Sequence, residues 1–147
     1  MLKVGDKERA LKVLDRCQES MPENVWPLDA IPLGFSTNDY MVVNMVSAYF
    51  AAGAPDKAAE LGAKLGKELL ASAHFYMEYY EYAQDEFEKS CQFLYFLVDE
   101  LEKGGDKKVS AELKHSLVTL LRAGAEAYDQ DYGNEADSTV AEDTSAK

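Results

Sequence analysis

The residues GAPDKAA, at positions 53–59, are the strongest indication of the fold, and they return in related form as GDKERAL at residues 5–11. Each stretch begins with a turn glycine, continues with charged residues, and places an alanine five positions after the glycine. Gly53 can take the left-handed position that closes a helix. A weaker third copy is GDKKVS at residues 105–110, with Ser110 at the small position. A recurring turn followed by a helix start is typical of helical repeats, so we expect antiparallel helix pairs.

Apolar residues recur at helical spacing on both sides of these turns. No run of alternating β-branched residues indicates a strand, so the sequence predicts an all-α fold of about six helices. A closing proline follows the first helix, and residues 23–39 form an ordered connection that packs over the helices. Gly62 and Gly66 leave one helix face bare, so a second helix can approach it closely. The predicted helices cover residues 5–21, 40–52, 56–72, 85–103 and 107–128, with an aromatic-rich segment at 73–82.

The 147 residues fit one domain followed by a short tail. We predict a helical repeat domain over residues 1–129, with its first repeat truncated to a single helix. Apolar periodicity stops after residue 129, and residues 130–147 carry five acids and one lysine. This composition predicts a disordered acidic tail.

The net charge of −12 argues against nucleic-acid binding, which needs clustered lysine and arginine, and against docking on an anionic membrane surface. Cys17 and Cys91 are too few for a disulfide scaffold, and the chain has no Cys-x-x-Cys motif. The longest uncharged run, residues 40–55, is shorter than the roughly 20 residues of a membrane-spanning helix. The sequence therefore predicts a soluble acidic domain.

The recurring turns resemble those of the tetratricopeptide repeat (TPR), a pair of antiparallel helices about 34 residues long. The TPR pattern has a small residue where two helices cross, and Ala10 and Ala58 stand at that position. The three turn glycines are separated by 48 and 52 residues, so these are degenerate repeats with inserted connections. The resemblance implies a TPR-like superhelix, and the single helix of the first repeat suggests that Met1 marks a cut inside a longer protein.

The longer pattern resembles the C-terminal domain of the Bacteroidetes DUF2723 family. The resemblance covers roughly residues 1–128 and rests on the GDKERAL helix, the Met-Pro-Glu that ends it, and AYFAAG at residues 48–53 before the aromatic-rich segment. That family comprises multi-spanning membrane proteins similar to protein O-mannosyltransferases. The resemblance implies that the catalytic carboxylates belong to the membrane part, and that this domain faces the periplasm.

The aromatic-rich segment is the most unusual feature of the sequence. Tyr76, Tyr79 and Tyr80 share one face of a helix by their spacing, and Tyr82 lies to its side. Tyrosines on a concave repeat surface can stack on sugar rings or grip a peptide, but they also fill wide gaps between helices. Trp26, in the predicted connection, is a further candidate for partner binding, or else it pins that connection to the helices.

We identify no catalytic, cofactor-binding or metal-binding residues. Glu78, Glu81, Asp85 and Glu88 recur on one helix and are typical of a solvated face, whereas glycoside hydrolysis needs two carboxyls facing each other across a cleft. A single Glu-x-x-His motif at residues 112–115 is too little for a di-iron site. We therefore expect no enzymatic activity and no cofactor.

The resulting hypothesis is a non-catalytic protein-interaction module, the soluble C-terminal domain of a membrane glycosyltransferase-like protein at the periplasmic face of the inner membrane. Its expected partner is a protein or peptide, such as the acceptor protein of that enzyme, and the exposed stripe of the truncated first repeat could form a homodimer. The alternative is a free-standing TPR-like adaptor in the cytoplasm. A small helical enzyme is a third hypothesis, from a different class.

Overall fold

The computed structural model describes residues 4–20, 32–33 and 36–138, which form five α-helices and one short pair of strands. In this part of the chain the fold is all-α, as the sequence predicts. Strands β1 (Pro32–Leu33) and β2 (Ser36–Thr37) pair antiparallel ahead of the second helix, with Pro32 opposite Thr37. The helices are α1 (Val4–Ser20), α2 (Asn38–Ala52), α3 (Pro55–Glu78), α4 (Tyr80–Gly104) and α5 (Lys107–Ser138).

The helix boundaries differ from the prediction at two places. The aromatic-rich segment is the end of α3 and the beginning of α4, which is why the described residues contain five helices rather than about six. Helix α5 continues to Ser138, so the predicted domain boundary at residue 129 falls inside a helix. The apolar stripe of α5 ends near residue 128. The helix continues past it because backbone hydrogen bonds of a helix do not depend on an apolar stripe. The remainder of the predicted acidic tail, residues 139–147, lies outside the described residues.

The turns at Gly53 and Gly105 have the same structure. Each glycine adopts a left-handed conformation, with φ of 84° and 91° respectively. At each turn the glycine N–H donates to the carbonyl three residues back, and the next N–H donates to the carbonyl five residues back, with N···O distances of 2.9–3.1 Å. This is the Schellman arrangement, in which glycine avoids the steric cost of positive φ. The chain therefore contains two helix pairs with equivalent turns, α2–α3 and α4–α5.

Helix α3 lies at the centre of the packing, against α2, α4 and α5. Its fully buried side chains repeat every three or four residues, a stripe formed by Ala58, Leu61, Leu65, Leu69 and Ala73. The prediction for the two glycines beside this stripe is confirmed. A Cβ atom on Gly62 would lie 2.9 Å from Leu101, and one on Gly66 would lie 2.6 Å from Leu113, so α4 and α5 approach α3 where side chains are missing.

Helix α1 is attached to the helix pairs by a group of apolar side chains and by a polar network. Leu11, Leu14 and Cys17 pack against the core from its edge. Both carboxylate oxygens of Asp15 lie 2.7 Å from Lys57 Nζ, and the buried Tyr49 hydroxyl donates to Asp15 Oδ1 at 3.0 Å. The hydrogen bond from Lys57 lowers the pKa of Asp15, while burial and the nearby Asp15 raise the pKa of Tyr49 to about 12. Residues from three helices are therefore linked at this end.

Among the described residues, no helix combines the length and the hydropathy that crossing a membrane requires.

Candidate interaction site: the aromatic corner

The chain reverses direction between α3 and α4 without a glycine. Helix α3 ends at Glu78, and Tyr79 leaves helical geometry with φ −121° and ψ 34°. Ala83 is also non-helical, with φ −129° and ψ 28°, so the bend is spread over residues 79–83. The carbonyl of Tyr79 accepts hydrogen bonds from the N–H groups of Tyr82 and Ala83 at 2.9 and 3.0 Å, which closes the bend. We call this bend, together with Phe75 and Tyr76 before it, the aromatic corner.

Tyr80 anchors the corner to the core. Its side chain is buried, and its ring meets the ring of Phe87 edge-on, with centroids 5.6 Å apart and planes at 73°. This edge-to-face arrangement is a favourable geometry for an aromatic pair. Of the predicted partner-binding residues, Tyr80 is therefore inside the protein, where it can support the corner but cannot contact a partner in this state.

Three aromatic rings of the corner are exposed: Phe75 at 57%, Tyr79 at 52% and Tyr82 at 83%. The ring of Phe75 lies between those of Tyr76 and Tyr79, with centroid distances of 5.6 and 5.2 Å. The rings of Phe75, Tyr76 and Tyr79 therefore form a continuous cluster. Tyr76 is half-buried and packs against the edge of the core. The structure thus separates the predicted tyrosines into a buried anchor, a half-buried support and an exposed group.

Phe75 was not among the predicted site residues, although it is central to the cluster. Its i, i+4 spacing from Tyr79 was the available signal, because residues four apart on a helix are neighbours. Helix α5 reaches the same end of the protein, since Gly124 packs against Phe87 and Met77. Tyr128, one turn further along α5, is also half-exposed.

Acidic residues are neighbours of the exposed rings in the sequence. Glu78 stands directly before Tyr79, Glu81 directly before Tyr82, and both are exposed. One helical turn further along α4, a shallow groove of about 320 Å³ is lined by Asp85 and Glu88 together with Lys89 and Gln92. All four carboxylates are exposed, as the sequence predicts, but they do not share one helix, because Glu78 ends α3 and the other three belong to α4. The corner therefore presents apolar ring faces within a negatively charged surface.

A second exposed aromatic pair lies on α4, away from the corner. Tyr95 is 60% exposed, and its ring centroid is 6.1 Å from that of Phe96. Fifteen residues of helix separate Tyr95 from Tyr80, a distance of about 22 Å at 1.5 Å per residue. The sequence does not distinguish this pair, because its residues lie within an ordinary amphipathic pattern. It is a useful comparison for the corner.

The other candidates from the sequence are Trp26, the cysteines and possible metal ligands. Trp26 lies outside the described residues. Cys91 is buried, and burial, with a smaller effect of Glu88, raises the pKa of its thiol to about 11, so its thiolate is disfavoured at neutral pH. Within the described residues, no three histidine, cysteine, aspartate or glutamate side chains are grouped so that they could hold a metal ion.

Comparison of the chain with protein-family models, with curated proteins and with solved structures gives no match. The resemblances to the TPR and to DUF2723 therefore rest on the sequence patterns described above.

Proposed function

We propose that this chain is a non-catalytic protein-interaction module that binds a peptide segment of a partner protein at the aromatic corner. The observation that carries the proposal is the exposure of Phe75, Tyr79 and Tyr82 on a bend whose buried Tyr80 fixes its position. Exposed aromatic groups on a well-anchored element are typical of protein interfaces, because they bring large contact area with few rotatable bonds.

The charge around the corner favours a partner segment that combines basic and apolar residues. Glu78 and Glu81 flank the exposed rings, and the whole chain carries a net charge of −12. Lysine or arginine side chains can lie over tyrosine faces and also approach the carboxylates. Apolar side chains of the same segment can cover Phe75. A strongly acidic peptide would be repelled, so charge supplies part of the specificity.

Selection from a displayed library of random peptides tests the proposal directly. The full chain serves as the target, and enriched peptides are then measured against Phe75→Ser, Tyr79→Ser and Tyr82→Ser. Each substituted side chain is exposed, so circular dichroism should confirm an unchanged fold. Tyr95→Ser is the matched control, since it removes an equally exposed tyrosine from a distant part of the surface.

We expect enriched peptides to contain lysine or arginine beside apolar residues. Loss of a central aromatic contact costs about 2 kcal/mol or more, so Tyr79→Ser should weaken their binding by about thirtyfold while Tyr95→Ser leaves it unchanged. Equal binding by all corner variants, or no enrichment at all, would contradict the assignment of the corner.

The wider biological setting that we propose follows the DUF2723 resemblance. On that basis the module belongs to a membrane glycosyltransferase-like protein and holds its acceptor protein at the periplasmic face of the membrane. Reading the genomic DNA upstream of the Met1 codon tests this part separately: an open frame encoding many hydrophobic spans supports it. A stop codon and a ribosome-binding site there would favour the alternative, a free-standing TPR-like adaptor in the cytoplasm.

A further inference from the structure

One side of the α4–α5 helix pair carries exposed apolar side chains. Tyr95 on α4 is 60% exposed, and Val118 and Leu121 on α5 are 42% and 51% exposed. Lys114, one turn before Val118, donates to Glu102 of α4 at 2.8 Å, which joins the two helices along this side. A groove of about 460 Å³ there is lined by residues of both helices: Glu102, Lys107, Ser110, Ala111 and Lys114. We call this side the α4–α5 edge.

The two helices bring opposite charges to the α4–α5 edge. Residues three or four apart share a helix face, so each helix contributes one strip of side chains. The strip of α4 holds two acids and no base: Gln92, Tyr95, Asp99 and Glu102. The strip of α5 holds two bases and no acid: Lys107, Ala111, Lys114, Val118 and Leu121.

Neighbouring charges change the strength of each strip but not its sign. On α4, Lys103 lies 2.6 Å from Asp99 and offsets part of the acidic charge. On α5, the exposed Arg122 stands directly after Leu121 and adds to the basic charge. The acidic strip and the basic strip therefore lie side by side, with apolar side chains on both.

The ion pair across the edge sets the relative position of the two strips. Glu102 and Lys114 lie at the same level along the helix pair, since their charged atoms are 2.8 Å apart. The helices run antiparallel, so Tyr95, seven residues before Glu102, is level with Leu121, seven residues after Lys114. An apolar level therefore follows a charged level on both helices.

We infer that two copies of this chain form a dimer through the α4–α5 edge, about a two-fold axis parallel to the helices. This axis lays the α4 strip of each copy on the α5 strip of the other and keeps every residue at its own level. Tyr95 of each copy then meets Leu121 of the other, and Glu102 meets Lys114. The contact uses the same surface of both copies, so it closes as a dimer.

The charges of the edge select both the occupant and the axis. A strongly basic or strongly acidic partner would match one strip and be repelled by the other, whereas a second copy matches both. A two-fold axis perpendicular to the helices would instead oppose α4 to α4 and bring the acids Asp99 and Glu102 together. This inference does not rest on the proposed function, because Tyr95 lies about 22 Å along α4 from Tyr80 of the aromatic corner.

The matched surface is short, which sets the expected affinity. Toward the aromatic corner Glu88 comes nearly level with Asp129, so the opposite charges end there. The strip from Gln92 to Glu102 covers about three helical turns, or about 15 Å. A contact of this size belongs with the weak interfaces, so we expect a dissociation constant of about 0.1 mM.

Sedimentation velocity of the full chain between about 10 μM and about 1 mM tests the dimer. Tyr95→Ser and Leu121→Ser should each weaken association at least about tenfold, because each removes an apolar side chain from the centre of the contact. Tyr82→Ser is the matched control, since it removes an exposed tyrosine elsewhere, and it should associate like the unmodified chain. A chain that remains at 16.3 kDa throughout, or a Tyr95→Ser variant that associates normally, would overturn the inference.

Charge reversal tests the axis. Glu102→Lys leaves bases at both levelled positions and Lys114→Glu leaves acids at both, so each variant alone should stay monomeric. A mixture of the two should associate, since the acids of one variant then face the bases of the other. Glu60→Lys and Lys67→Glu make the same charge changes at exposed positions on α3 and should not alter association. Normal association of either edge variant alone, or a mixture that stays monomeric, would overturn the inference.

Discussion

Replacement of Gly66 by alanine probes the close contact between α3 and α5. A Cβ atom at this position would lie 2.6 and 2.7 Å from the two methyl carbons of Leu113 and 3.2 Å from its Cγ. Because the branch point and both methyls are involved, no rotation of one group relieves the overlap. Gly62, one turn earlier on α3, differs in this respect: a Cβ there would meet only Leu101 Cδ2 closely, at 2.9 Å, with the next atoms at 3.5 Å.

Two opposing effects determine the change in unfolding free energy. Alanine favours a helix interior over glycine by about 1 kcal/mol, and this gain is the same at both positions. Overfilling a packed core costs about 1–3 kcal/mol, and Gly66→Ala should meet most of that cost. We therefore expect Gly66→Ala to lower the stability by up to about 2 kcal/mol, while Gly62→Ala leaves it unchanged or raises it by up to about 1 kcal/mol.

A double-mutant cycle isolates the contact with Leu113. Leu113→Ala alone should cost about 2–5 kcal/mol, because it leaves a cavity between α3 and α5. In that background the overlap is gone, so Gly66→Ala should now stabilise the protein by up to about 1 kcal/mol. Urea unfolding followed by far-UV circular dichroism measures all four proteins. If Gly66→Ala has the same effect with and without Leu113, the close packing described for α3 and α5 is incorrect.

Three further predictions concern the core and its attachments. Ala58 is fully buried, so Ala58→Leu should cost about 1–3 kcal/mol in urea unfolding; an unchanged midpoint would refute the predicted helix crossing. Lys57 donates a hydrogen bond to Asp15, which lowers the pKa of Asp15 in the folded protein below its ordinary value. The contribution of this pair to stability is therefore present above the ordinary pKa and is lost as the pH falls through the folded pKa. Lys57→Met should therefore weaken the loss of stability between about pH 5 and pH 3, measured by urea midpoints; an unchanged pH dependence would count against the pair. In a Cys17→Ser background, the thiol pKa of about 11 predicts that Cys91 reacts with Ellman's reagent about 100-fold more slowly than in urea, and equal rates would contradict its burial.

The helix pairs could be predicted from sequence because their signals are local. A glycine that closes a helix, followed by a new helix start, marks the turns at Gly53 and Gly105; the left-handed conformation predicted for Gly53 is confirmed, and Gly105 adopts it as well. The bare face at Gly62 and Gly66 was also visible in the sequence, since two glycines four residues apart leave a gap whatever packs against it. These features depend on one stretch of chain at a time.

The aromatic corner was harder to predict because no glycine or proline marks the bend. The spacing of Tyr76, Tyr79 and Tyr80 predicts a shared face only if the helix continues, but Tyr79 and Ala83 leave helical geometry. A similar limit applies to α1, where Val13 fits the apolar stripe yet faces outward. The spacing of apolar residues along a helix does not show which of them the neighbouring helices will bury.

The backbone of the corner has a consequence for how this protein can be altered. The two other turns require glycine, since their φ angles of 84° and 91° are unfavourable for any other residue. Tyr79 and Ala83 have negative φ, near −120° to −130°, so neither position needs the positive φ for which glycine is favoured. Exposed positions such as Tyr79 and Tyr82 can therefore be randomised in a directed-evolution library, with Tyr80 kept as the anchor, to obtain new binding specificities on an unchanged scaffold.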